Sequence, residues 1–84
     1  MATNIYVGNL AFSTTSADLE TLFAAHGEVA KAQVVTDRET GRSRGFGFIE
    51  MPNDAEAAAA IKAVDGKSVD GRQLKVNVAK DRRA

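Results

Sequence analysis

Residues 44–51 read Arg-Gly-Phe-Gly-Phe-Ile-Glu-Met and alternate between two kinds of side chain. Because successive side chains of a strand point to opposite faces, every second residue of this segment shares a face. One face would carry Arg44, Phe46, Phe48 and Glu50. An unpaired buried charge is costly, so aromatic rings beside an arginine and a glutamate fit a sealed core poorly. We therefore predict a strand whose aromatic face meets solvent or a ligand.

The other face of this strand is smooth and apolar, since it carries Gly45, Gly47, Ile49 and Met51. Glycine weakens a strand unless another part of the chain must approach its backbone closely. We expect helices to cover this face, with the alanines at 57–60 packed against the two glycines.

The length of 84 residues predicts one small domain over residues 1–84. Hydrophobic residues make up 44% and charged residues 26%, as in ordinary globular proteins. The chain has no cysteine, which excludes disulfides and thiolate metal sites, and we expect no cofactor. The sequence has neither an apolar run of about 20 residues, as a membrane span needs, nor a leader pattern. We therefore expect a cytoplasmic monomer without membrane contact.

The distribution of charge says more than its total. Basic and acidic residues both number 11, so the formal net charge is zero, which is not typical of a strongly basic nucleic-acid binder. Residues 15–28 nevertheless contain three carboxylates and no lysine or arginine. Basic residues gather instead at two places, namely Arg38, Arg42 and Arg44 around one loop, and Lys80, Arg82 and Arg83 near the C-terminus.

The first half of the chain predicts a strand, a helix and a second strand. Residues 4–10 begin with alternating β-formers, with Tyr6 on the face opposite to Ile5 and Val7. Thr15 and Asp18 have the spacing of a capping box, and apolar residues then recur at helical spacing until Gly27. We expect Phe12 to pack beneath this cap as a core residue, and residues 29–36 to form the second strand.

The second half predicts a hairpin, a helix and a last strand. Residues 37–43 contain no apolar side chain and should form a mobile loop before the strand at 44–51. Asn53 and Glu56 give a second capping signal, and Gly66 closes the helix that follows. After a turn at Asp70-Gly71, the last strand should point Leu74, Val76 and Val78 inward.

The predicted order is strand, helix, strand, strand, helix, strand. This order is that of the α+β class and of the ferredoxin-like βαββαβ sandwich, a four-stranded antiparallel sheet with two helices on one face. The inward residues then have a covering layer, whereas Tyr6, Phe46 and Phe48 lie on the uncovered face.

Residues 44–51 also carry a family resemblance. The RNA recognition motif family has an eight-residue signature, K/R-G-F/Y-G/A-F-V-x-F/Y, and Arg44–Met51 matches it except at Ile49 and Met51. Residues 5–10, Ile-Tyr-Val-Gly-Asn-Leu, resemble the shorter motif of this family on its first strand. The resemblance covers essentially the whole chain, which is similar to small single-motif proteins of bacterial and plant type.

The resemblance implies that the first and third strands are neighbours and that the open sheet face binds single-stranded RNA. Tyr6 and Phe48 would each stack a base, Phe46 would contact a sugar or a base edge, and Arg44 would pair with a phosphate. Polar and basic residues around these rings are further candidates for RNA contacts: Asn4, Lys31, Gln33, Arg38, Arg42, Lys75, Asn77 and Lys80.

Two other interpretations use the same face. It could bind a protein partner, or it could bind single-stranded DNA, because every base has a π-face. An enzyme is disfavoured, since the sequence shows no arrangement of nucleophile and base, and Gly45 and Gly47 lie inside a strand without the residues of a phosphate loop. Solvated surface positions are the alternative for each single polar residue.

Overall fold

The computed structural model describes residues 3–69 and 71–79. Within these residues the elements follow in this order: β1 (Thr3–Gly8), α1 (Ser16–Ala24), β2 (Lys31–Thr36), β3 (Ser43–Met51), α2 (Asp54–Val64), β4 (Ser68–Val69), β5 (Arg72–Gln73) and β6 (Lys75–Val78). The strands β2, β3, β1 and β6 form an antiparallel sheet in that spatial order. The predicted ferredoxin-like sandwich is confirmed.

The inward face of this sheet and the two helices enclose the core. Alternate residues of β1 and β3 are fully buried there, among them Ile5, Val7, Ile49 and Met51. They pack in one cluster with residues of α1, such as Leu19, and with residues of α2. Met51 is one of the two residues that differ from the family signature. It is 0% exposed, so its predicted inward position is confirmed.

Both helices begin at the predicted caps. The Asp18 amide donates to the Thr15 hydroxyl at 3.1 Å, and the Thr15 amide donates to the Asp18 carboxylate at 3.0 Å, which completes a capping box. In α2, the Glu56 amide donates to the Asn53 side chain at 2.9 Å. The Glu56 carboxylate turns elsewhere and accepts a hydrogen bond from the Glu28 amide at 3.0 Å, which ties the segment after α1 to α2.

The close approach at Gly47 involves α1 rather than α2, so the prediction that the alanine run packs against the β3 glycines is wrong. A Cβ at Gly47 would lie 2.5 Å from the Gln33 carbonyl oxygen and 3.0 Å from Leu19 Cδ1. The buried alanines Ala57 and Ala60 belong to the core cluster instead. α1 packs across β2 and β3, so Leu19 reaches Gly47, whereas α2 packs across β3, β1 and β6.

Phe12 is not a core residue, and the prediction that it packs beneath the α1 cap is wrong. Its side chain is 74% exposed, whereas Leu10 is 1% exposed and occupies the core at this end of the sheet. The Thr14 amide donates to the Ala11 carbonyl at 3.0 Å, so the chain turns tightly here. Phe12 lies within this turn and points outward.

Smaller differences concern the strands. β2 begins at Lys31 rather than at residue 29. Val78 is 56% exposed although its parity is inward, because it ends β6, which is an edge strand. The hairpin of β4 and β5 was not predicted, since strands of two residues carry no periodic pattern. Asp70, in the predicted turn between them, lies outside the described residues.

The loop between β2 and β3 is held by its own hydrogen bonds. The Asp37 amide donates to the Arg42 carbonyl at 2.7 Å, and the Gly41 amide donates to the Asp37 carbonyl at 2.8 Å. The Asp37 carboxylate also accepts a hydrogen bond from the Glu39 amide at 2.8 Å. These bonds close the hairpin, and the predicted mobility of the loop stays a prediction.

Two kinds of feature are absent from the part of the chain that the structure describes. Neither helix there has the length and apolar character of a membrane span. The acidic and histidine side chains of residues 3–69 and 71–79 also form no group of three that could ligate a metal ion.

Candidate nucleic-acid interface

Three aromatic rings, those of Tyr6, Phe46 and Phe48, lie together on the open face of the sheet and are called the aromatic triad below. Their centroids are 5.9 Å apart for Tyr6 and Phe48, 6.0 Å for Tyr6 and Phe46, and 6.1 Å for Phe46 and Phe48. The rings are tilted or edge-on to one another, an arrangement that aromatic pairs favour. Neighbouring rings shield one another's edges, and Phe48 remains 37% exposed.

The register of the sheet explains why the triad assembles. Tyr6 on β1 lies directly opposite Phe48 on β3, and the next residue of this face on β1, Gly8, lies opposite Phe46. Side chains directly opposite on antiparallel strands are about 4.5–5.5 Å apart at Cβ, so large rings at these positions must meet. The triad is therefore a consequence of the β1–β3 pairing that the family resemblance implied.

Gly8 lies under the ring of Tyr6, a role that the sequence did not reveal. A Cβ at Gly8 would lie 2.5 Å from Tyr6 Oη and 2.9 Å from Tyr6 Cε2 and Cζ. The ring therefore leans along β1 over the space that a side chain at position 8 would fill. The signal in the sequence is the spacing of two between Tyr6 and Gly8, which places both residues on one face of β1.

Polar residues extend the triad across the sheet in rows. Gln33 on β2 lies opposite Phe48, and Asn77 on β6 lies opposite Tyr6. The four positions form one continuous row in the order Gln33, Phe48, Tyr6, Asn77. Lys75 on β6 lies opposite Gly8 on β1, and Gly8 in turn lies opposite Phe46 on β3. The amides and the ammonium group thus flank the rings at both edges of the sheet.

A second row lies on the other side of Phe48. Glu50 on β3 is opposite both Lys31 on β2 and Asn4 on β1. These side chains, with Gln33 and Phe48, line a small recess of about 190 Å³. Hydrogen-bond donors on Lys31, Asn4 and Gln33 surround the acceptor carboxylate of Glu50 there. The recess therefore offers both donors and acceptors to a ligand.

The predicted arginines do not all lie together. Arg42 and Arg44 line another recess, of about 350 Å³, between the β2–β3 loop and Phe12. Arg38 is exposed in the same loop but does not line this recess. Lys80 lies outside the described residues. The structure therefore brings together on the sheet or at its margin the triad, Asn4, Lys31, Gln33, Lys75, Asn77, Arg42 and Arg44.

The chain is closely similar to proteins from chloroplasts and cyanobacteria. It is 57% identical over 81 residues to the chloroplastic RNA-binding protein CP31B of Arabidopsis thaliana, which covers 96% of the chain but 28% of CP31B. It is also 57% identical over 79 residues to RbpA of a Synechocystis strain, which covers 94% of the chain and 78% of RbpA.

A solved structure and a family profile support the same assignment as these relatives. The crystal structure of RNA binding protein PG1 superimposes with a TM-score of 0.91 at 46% identity, over 98% of this chain and 99% of that one. The profile of the RNA recognition motif family matches residues 5–75. The chain therefore belongs to the RNA recognition motif family, a family of RNA-binding modules and not of enzymes.

Proposed function

We propose that the open sheet face binds a short segment of single-stranded RNA by stacking its bases on the aromatic triad. The observation that carries this proposal is the triad itself, three rings within 6.1 Å of one another on the side of the sheet that faces away from the core. Large exposed aromatic surfaces usually mark an interface, because leaving them in water is unfavourable. Tyr6 and Phe48 each stack a base, and Phe46 contacts a sugar or a base edge.

Basic and amide side chains around the triad support RNA as the ligand. Arg44 pairs with a phosphate, and Arg38, Arg42 and Lys75 supply further positive charge. Lys80, the other basic candidate from the sequence, lies outside the described residues. Backbone phosphates fix the position of the strand, whereas contacts to base edges give sequence preference. Asn4, Lys31, Gln33 and Asn77 are the candidates for contacts to base edges, since they lie beside the two stacking residues.

The affinity that follows is moderate. Stacking on an aromatic side chain contributes about 1–3 kcal/mol per base, as measured by alanine substitution. Two or three such contacts and a few arginine contacts, less the cost of ordering the strand, give a Kd in the micromolar range, about −8 kcal/mol. Such a module acts at high local concentration or together with a second module, as a regulator after transcription or as an RNA chaperone.

The test is the substitution Phe48→Ala, with Phe48→Tyr as its matched control. We expect Phe48→Ala to weaken binding of a short randomised single-stranded RNA by more than about ten-fold, because one stacked base is lost. Phe48→Tyr keeps the π-face and should bind like the wild type. Fluorescence anisotropy measures the affinity, and thermal unfolding checks that both variants fold.

Equal affinity of wild type and Phe48→Ala would refute the stacking surface. A parallel titration followed by backbone amide shifts locates the ligand, and shifts should concentrate at Tyr6, Arg44, Phe46, Phe48 and β6. If nothing shifts well above micromolar protein, RNA is the wrong class of ligand, and a protein partner on the same face becomes the working hypothesis. Matched DNA oligomers separate RNA from single-stranded DNA through the 2′-hydroxyl.

We also propose that the 84 residues act as one domain and as a monomer. Their short length supports a single domain, as does the core cluster that residues 3–69 and 71–79 share. The cytoplasmic location expected from the sequence stays a prediction, since CP31B is named as chloroplastic and RbpA comes from a cyanobacterium.

A further inference from the structure

A groove lies between α1 and the β4–β5 hairpin, on the side of the sheet that the helices cover. Its volume is about 390 Å³, within the range of about 300–1,000 Å³ that ligand sites occupy. It is lined mainly by aliphatic side chains, with Asp18 and two threonines among them. This groove is called the α1 groove below.

Core residues form the floor of the α1 groove. Leu10, Leu19 and Leu74 line it and are no more than 1% exposed. Leu22 on α1 and Val69 on β4 form its walls, and both are only partly buried. An aliphatic side chain that enters from outside would complete their burial, and removal of apolar surface from water drives association.

The rim of the α1 groove on the helix is acidic. Asp18 and Thr21 line the groove and are exposed to solvent. Asp18 Oδ2 accepts a hydrogen bond from the Thr15 amide at 3.0 Å, which fixes the carboxylate beside the groove without removing its charge. Glu20 is exposed on the same helix, and residues 15–28 contain no lysine or arginine. This rim therefore attracts a cationic ligand.

The basic residues near the opposite wall do not line the α1 groove. Arg72 on β5 donates from Nη2 to the Asn9 side chain at 2.9 Å, so it is directed to the end of β1. Lys67 precedes β4 and is exposed, but it does not line the groove. Among the residues that the structure describes, the charge that lines the groove is that of Asp18.

The α1 groove and the aromatic triad lie on opposite sides of one sheet. Leu10 and Leu74 reach the groove from the core side, whereas the triad faces away from the core. The acidic rim is thus separated by the sheet from the basic residues of the open face. A ligand in the groove leaves the triad free.

We infer that the α1 groove binds a basic peptide segment of a partner protein. The segment inserts neighbouring aliphatic side chains between Leu22 and Val69, and it places lysine or arginine residues beside Asp18 and Glu20. Apolar anchors in a groove supply affinity, and complementary charges around them supply orientation and a faster association rate. This interaction goes beyond RNA binding, because one molecule can hold RNA on the sheet and a protein partner on α1.

Selection from random displayed peptides of about twelve residues tests the chemistry of this partner. The wild-type protein is the target. We expect the selected peptides to combine leucine, isoleucine or methionine with lysine or arginine. Their binding should also weaken as salt rises, because part of the attraction is between exposed charges.

Thr21→Lys tests the place of binding, and Ala58→Lys is its matched control. Thr21→Lys sets a long cationic side chain on the exposed rim, where it obstructs the groove and repels a basic peptide. Ala58→Lys adds the same charge at an exposed position of α2 that does not line the groove. We expect a selected peptide to bind Thr21→Lys at least about ten-fold more weakly and Ala58→Lys within about two-fold of the wild type. Thermal unfolding checks that both variants fold.

Backbone amide shifts locate the bound peptide. They should concentrate at Thr14, Asp18, Leu22 and Val69 and be small at Phe48. Addition of a short single-stranded RNA should leave the affinity for the peptide unchanged, since the two ligands use opposite sides of the sheet.

Several outcomes would overturn this inference. Selection of acidic peptides, or of none, would show that the groove does not take a basic segment. Equal losses in Thr21→Lys and Ala58→Lys would mean attraction to the whole protein, and shifts centred on Phe48 would mean the other face. A concentration-dependent dimer in sedimentation that Thr21→Lys abolishes would make a second copy of this chain the occupant. None of these results depends on whether the sheet binds RNA.

Discussion

Gly8 should control how the Tyr6 ring presents itself to a base. A Cβ at position 8 would lie 2.5 Å from Tyr6 Oη, whereas ordinary contacts of a Cβ begin at 3.4 Å. In Gly8→Ala the ring must therefore shift by on the order of 1 Å to restore normal packing. The shift involves the far end of a flexible side chain on the open face, so the core is not disturbed.

The expected effects of Gly8→Ala on stability and on binding differ. Gly8 lies in β1 without a positive φ, so alanine is compatible with its backbone and removes freedom from the unfolded chain, a gain of about 0.4–1 kcal/mol. This gain offsets the cost of moving the ring, and the free energy of unfolding should change by less than about 1 kcal/mol. A misplaced ring loses part of its stacking, about 1 kcal/mol, which is about five-fold in Kd.

A double-mutant cycle tests whether the effect passes through Tyr6. Fluorescence anisotropy with one randomised RNA gives the affinity of wild type, Gly8→Ala, Tyr6→Ala and the double variant, and urea unfolding gives their stability. Once the ring is gone, Gly8→Ala should have no further effect on affinity. A further loss in the Tyr6→Ala background would mean that RNA approaches the Gly8 backbone directly. Unchanged affinity in the single variant would show that the ring position does not matter.

Three further predictions concern packing, capping and charge. Gly47→Ala should destabilise the protein by about 1–3 kcal/mol in urea unfolding, because the Gln33 carbonyl is backbone and cannot move aside cheaply; wild-type stability would contradict this. Thr15→Ala removes the N-cap of α1 and should cost about 1 kcal/mol of stability, while the affinity of the folded protein for RNA stays unchanged. The slope of log K against log salt should be about −2 for the wild type and shallower by about 0.7 for Arg44→Gln, and an identical slope would remove the phosphate contact.

The fold and much of the candidate site could be predicted because their signals are local. A strand pattern of period two placed Tyr6, Phe46 and Phe48 on one face, and capping residues marked both helix starts. The functional roles of these rings stay a proposal. Phe12 could not be placed in the same way, because an aromatic residue in a loop has no periodicity. Its outward direction depends on a turn between Ala11 and Thr14 and on the Leu10–Gly45 hydrogen bond, which joins residues distant in sequence.

The sequence by itself determined the two helices, the four strands of the main sheet and the aromatic faces of β1 and β3, since these follow from the spacing of residues along the chain. Tertiary structure alone decided which helix covers Gly47 and which arginines line a recess with Phe12. These contacts depend on the order of strands in the sheet and on the paths of the loops across its margin. Such distances between separate elements are set by packing, and no pattern within one segment encodes them.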